Sequence, residues 1–108
     1  MTSPSSAARM LFDGLAKELK VDGVTTGMAF GHRALKHDRV GIACLTGDGM
    51  AFFLPVSSAE HAEASAVVGS RTWAPSTVNV ALPDWVVVPT DSSSRWLAWA
   101  RAALASTP

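Results

Sequence analysis

Three histidines, one cysteine and nine basic side chains are the groups in this 108-residue chain with the most scope for chemistry. Imidazole metal sites need ligands at fixed separations, such as two histidines one helical turn apart or a histidine close to a cysteine. His32, His37 and His61 stand in neither arrangement, so no metal site and no cofactor is expected. A serine nucleophile needs a strained elbow of the Gly-x-Ser-x-Gly kind to present it, and the chain contains none. Gly27-x-x-x-Gly31 and Gly47-x-Gly49 do not lead from a strand into a helix with Lys-Ser/Thr following, as a phosphate-cradling loop does. The sequence therefore predicts a protein that is not an enzyme. Cys44 lies inside a predicted strand and reads as a small buried hydrophobe; a single cysteine allows no intrachain disulfide.

The basic residues offer a different chemistry. His32, Arg33, Lys36, His37 and Arg39 are spread over a predicted hairpin with its tip at His37-Asp38. Arg33, Lys36 and Arg39 there could neutralise two or three phosphates, a salt-dependent contact that carries no base discrimination. Nine basic residues balance nine acidic ones, so the long-range attraction of a nonspecific nucleic-acid binder is missing and any such role rests on this patch. The same charges on a solvated hairpin edge would also discourage edge-to-edge pairing.

The elements that must position these residues follow from hydrophobic period. Residues 1–6 form a Ser-rich tail, expected to be flexible, ahead of one domain over residues 7–106. Ala8, Leu11, Phe12, Leu15, Ala16 and Leu19 recur at three and four, the stripe of an amphipathic helix that Asp22-Gly23 ends. From Val24 the period becomes strand-like, breaks at Gly31, resumes over Arg33 to Lys36, turns, and re-enters at Val40. Ser57-Ser58-Ala59-Glu60 has the order of a capping box and opens a middle helix that Gly69 closes, with Ser57 as the cap. Arg71-Thr72-Trp73 and Trp85-Val86-Val87-Val88 read as strands around an irregular stretch. Trp96, Leu97, Ala100, Ala103 and Leu104 give a final helix on which Trp99 only borders the apolar stripe and is expected to be exposed. Runs of strands between helices predict an α+β fold: an antiparallel β-meander sheet flanked by N-terminal, middle and C-terminal helices.

The centre of that meander is the hairpin Val40 to Pro55, apolar on both faces around Gly47-Asp48-Gly49. A two-residue primed turn at Gly47-Asp48 or Asp48-Gly49 places Ala43, Leu45, Met50, Phe52 and Leu54 on one side and Val40, Ile42, Cys44 and Phe53 on the other. Leu45, Met50, Phe52 and Leu54 together approach the patch size that signals association when exposed, which predicts a homodimer or another protein partner on that face. Residues near Met28, Phe30 and Trp73 could instead line a small-molecule pocket between helices and sheet.

Met28-Ala29-Phe30-Gly31, Ala34-Leu35-Lys36, Gly47-Asp48-Gly49-Met50, Leu54-Pro55, Glu60-His61-Ala62 and Trp85-Val86-Val87-Val88-Pro89 occur in an order that resembles the TfoX N-terminal domain family, over nearly the whole chain. Family members carry a Met-Phe-Gly turn before an antiparallel meander; here Ala29 stands between the Met and the Phe. The resemblance, which extends to the related YjbR-like small domains, implies a regulatory or interaction domain. The expectation is a cytoplasmic regulatory or protein-interaction domain that self-associates, with a nucleic-acid-associated regulator or a small-ligand binder as alternatives. No apolar run is long enough to span a membrane.

Overall fold

Ser5 opens the first helix: its hydroxyl accepts from the Ala8 amide at 3.1 Å, one of the donors that a helix start leaves without a partner. The computed structural model describes residues 4–107, so residues 1–3 of the expected tail lie outside the described residues. Ser5 and Ser6 do not behave as tail. Ser6 begins α1 (Ser6–Leu19), and the Ser5 amide donates to the Gly47 carbonyl at 2.7 Å, tying the helix start to the sheet. Ala8, Phe12, Leu15 and Leu19 are the buried stripe, each large side chain contributing roughly 1.5–3 kcal/mol by leaving water. A single 3₁₀ turn over Lys20–Asp22 ends at Gly23 in the left-handed region.

Six strands follow: β1 (Thr25–Ala29), β2 (His32–His37), β3 (Val40–Leu45), β4 (Gly49–Phe53), then α2 (Ala59–Ser65), β5 (Arg71–Trp73) and β6 (Leu82–Pro89). A 3₁₀ segment, Thr90–Arg95, leads into α3 (Trp96–Ser106). All strand pairs are antiparallel and the order across the sheet is β1-β2-β3-β4-β6-β5. The architecture is the expected α+β fold, with a meander over β1–β4 and helices at the start, middle and end. The middle helix begins one residue later than its sequence suggests. Ser58, not Ser57, is the cap and accepts from the His61 amide at 3.1 Å.

One side of the sheet is covered by helices. Leu45, Met50, Phe52, Leu54, Val86 and Val88 pack there against Phe12, Trp96 and Trp99. Phe52 meets both indoles edge-on, with ring centres 6.1 and 6.0 Å apart. The other side holds a smaller cluster, Ala34, Cys44, Ala51, Trp73, Trp85 and Val87, bordered by Phe30, Phe53 and Leu82.

Three local readings are corrected by this geometry. Ile42 packs with the helix side rather than with Cys44, because β3 carries a bulge. Leu35 pairs with Ala43 and Lys36 with Gly41, so Ile42 is the extra residue and two successive apolar side chains reach one face. Trp99 is fully buried, not exposed. Its indole N–H donates to Glu63 Oε1 at 2.8 Å, and Glu63 also pairs with Arg95, which lies over the Trp99 ring at 5.8 Å, so α2 supplies the polar partner that lets the ring end inside. Primed turns occur, but not where Gly-Asp-Gly invites them. Phe30-Gly31 (φ 54° and 80°) and Asp38-Arg39 (φ 50° and 70°) are left-handed at both central positions, whereas Gly47, Asp48 and Gly49 are not.

Gly49 is required for a different reason. A Cβ there would sit 2.0 Å from the Val88 carbonyl oxygen, so only glycine lets β4 and β6 pair in this register. Gly49→Ala is expected to destabilise the fold by about 2 kcal/mol or more through backbone displacement, read as a lower urea midpoint; an unchanged midpoint would show that β6 is not held this closely.

Candidate functional site

The side of the sheet without helices is shaped by the curl of its first strands and by one unusual residue. β1 leans over β3: the Cys44 thiol approaches the Ala29 carbonyl at 3.9 Å, and a Cβ on Gly41 would lie 3.3 Å from that of Ala29. At the β1–β2 turn Phe30 adopts a left-handed backbone, which costs a bulky side chain on the order of 1–3 kcal/mol. Two sets of contacts hold it. Its carbonyl accepts from the Thr77 hydroxyl at 2.8 Å, and its ring meets Trp73 and Trp85 edge-on at 5.4 and 5.6 Å. Gly31 completes the turn at φ 80°, with Thr77 so close that a Cβ would lie 2.9 Å from its methyl.

Phe30 borders two grooves. The first, about 410 Å³, is lined by Met28, Ala29, Phe53 and Trp85 with Lys36, Arg39 and Val40 around them. Met28 and Val40 are exposed apolar side chains at this groove. The second, about 850 Å³, lies where the β1–β2 turn, the β3–β4 turn, the start of α1 and the chain after β5 converge. Arg9, Arg33 and Arg71 line it, with His32, Trp73 and the segment Ala74 to Thr77. His32 Nδ1 lies 3.0 Å from the Leu45 carbonyl; a carbonyl can only accept, so Nδ1 is the donor of this contact.

The sequence-derived candidates are redistributed. Leu45, Met50, Phe52 and Leu54 are at most 2% exposed, covered by the chain's own helices. They form an interior, not an interaction surface, and the argument for a homodimer built on them no longer stands. Arg33, Lys36 and Arg39 do not form one patch. Arg33 lies beside α1, over the Phe12 ring at 5.4 Å and 3.9 Å from Asp13, whereas Lys36 donates to the Met28 carbonyl at 3.1 Å and shares the first groove with Arg39. Met28 borders the first cavity, Trp73 the second and Phe30 both; the second takes in Arg9 of α1 as well as the sheet, while the first is lined from the strands and from Thr107 after α3. Arg9 and Arg71 escaped the sequence reading because they are 62 positions apart in the chain, on α1 and β5, and only the tertiary fold brings both to the groove that Arg33 lines.

His61 is half-buried, its Nε2 donating to the Pro83 carbonyl at 3.0 Å. Among the described residues no three His, Cys, Asp or Glu side chains converge as a metal site would require, and no helix is long and apolar enough to cross a membrane. Comparison with family models, with characterised proteins and with solved structures returned no match.

Cys44 is wholly enclosed, and burial pushes its thiol up to about 12, against a smaller opposing pull from Lys36. Folded Cys44 should resist Ellman's reagent at pH 8 and react only on unfolding; fast labelling of the native protein would contradict its enclosure. The raised value also has a sign in stability. Above pH 9 the unfolded thiol releases its proton while the folded one keeps it, so this contribution is complete at neutral pH and declines by about 1.4 kcal/mol per pH unit towards pH 12. Cys44→Ala should flatten the alkaline limb of a stability-versus-pH curve. Since its own helices cover the four apolar side chains, the protein is expected to sediment at its monomer mass of 11.3 kDa; a dimer mass at micromolar concentration would reinstate self-association.

Proposed function

We propose that this chain is a cytoplasmic, non-catalytic regulatory binding domain of the TfoX N-terminal kind, and that it takes its ligand or partner on the aromatic side of the sheet. The observation that carries this reading is the strained Phe30, whose ring borders two grooves at once. Backbone strain at an aromatic residue, held by a hydroxyl and two indoles, is the kind of local cost that clusters where a protein meets a ligand.

The residues behind the family resemblance support the same side. Met28-Ala29-Phe30-Gly31 spans the end of β1 and the β1–β2 turn and lines the grooves, Trp85 within β6 lines the first, and Gly47 borders the second. A groove with a wall of Phe30, Phe53 and Trp85 and exposed Met28 and Val40 suits apolar contact ringed by charge.

Titrating a fragment mixture into ¹⁵N-labelled protein tests this directly. Amide shifts should concentrate at Phe30, Gly31, Val40, Trp73 and Trp85, and the bound compounds should be recovered chemically unaltered. Shifts confined to the outer faces of α1 and α3, or turnover of a bound compound, would overturn the reading.

A further inference from the structure

We infer that the second groove is a site for a small phosphorylated molecule carrying a planar ring, of about nucleotide size. The inference rests on the aromatic side being the binding side and adds to it a ligand chemistry. Charge is the first ground. In a chain of zero net charge, Arg9, Arg33 and Arg71, half of the six arginines, line one groove, and no carboxylate is among its described lining residues. Arg33 already lies 3.9 Å from Asp13, so Arg9 and Arg71 carry the charge left uncompensated among the described residues. Two guanidinium groups match the two charges of a phosphate ester, whose oxygens accept the paired N–H donors of arginine.

The second ground is a polar atom without a partner. Thr46, also on the lining, is 4% exposed, and its hydroxyl has no hydrogen-bond partner among the described residues. A buried hydroxyl left in this state costs about 1–3 kcal/mol, and a bound oxygen or a water held by a ligand would relieve it. The third ground is the wall. Trp73, itself only 4% exposed, backs Phe30 and His32 edge-on at 5.4 Å each, so the half-buried rings of Phe30 and His32 line the groove with the arginines and give a planar group something to lie against while its phosphate faces the cations. The volume of about 850 Å³ falls within the range of small-molecule sites. Arg9 and Arg71 are exposed and make no salt bridge among the described residues, so each is available to a ligand and can be replaced without disturbing the core.

Adenosine monophosphate, pyrophosphate and adenosine, titrated separately by calorimetry and by ¹⁵N shifts, test the inference on the full chain. Adenosine monophosphate should bind saturably and move the amides of His32, Thr46 and Trp73. Arg9→Gln and Arg71→Gln should each weaken it at least tenfold, Lys17→Gln on the outer face of α1 should not, and affinity should fall as salt rises. Equal binding of adenosine and its monophosphate would overturn the phosphate inference while leaving the aromatic side as the binding side. So would a response to neutral fragments at Met28 and Val40 with none to any phosphate. Binding of a DNA duplex through the same arginines with the mononucleotide inert would replace the small molecule by a nucleic acid. Silence of both grooves to phosphates and to fragments would overturn both readings.

Discussion

The close pairing of β4 with β6 is the constraint on which the rest of this molecule depends. β4 pairs with β3 on one edge and with the returning strand β6 on the other, and it is buried from Gly49 to Phe52. Its first residue has no room for a side chain against the Val88 carbonyl. With that register set, Met50 and Phe52 meet Val88 and Val86 on the helix side, and Ala51 meets Val87 on the other. The small Ala51 and Cys44 leave space for Trp85 and Trp73 to spread across the second side, and the large Phe52 anchors α3 through two indoles. Alternation of large and small residues along one strand thus decides which face takes helices and which takes rings.

Much of this was legible in the sequence because periodicity reports which residues share a face. The stripe Ala8, Phe12, Leu15, Leu19 defines α1, and Leu45, Met50, Phe52 and Leu54 do lie together. What periodicity could not report was what lies above that face. The same four side chains would make an exposed patch in an isolated hairpin and make a core beneath α1 and α3. The Ile42 bulge was hidden because an extra residue in a ladder changes pairing without changing composition. Trp99 was misplaced because its burial depends on Glu63, a polar partner 36 positions away that no helical wheel includes.

The grooves were legible in part, and for a physical reason. Met28 and Phe30 are apolar residues at the end of β1 and in the turn after it, where the sheet leaves them exposed and half-buried, and Trp73 at the end of β5 is the buried ring behind them. The arginines were invisible as a set. Arg33 stands near Lys36 and Arg39 in the chain, yet residues three apart on a strand point to opposite faces, and the fold sends Arg33 towards α1 and Lys36 towards β1. Its companions in space, Arg9 and Arg71, come from the first helix and the far edge of the sheet. Convergence of distant residues is a property of topology, and one linear pass along a chain does not contain it.

Phe30 contributes to the lining of both grooves, so one substitution there reshapes the two together. Its left-handed backbone is fastened from two directions, by the Thr77 hydroxyl on its carbonyl and by the indoles of Trp73 and Trp85 against its ring, so any replacement that keeps one anchor but loses the other leaves the turn half-tethered.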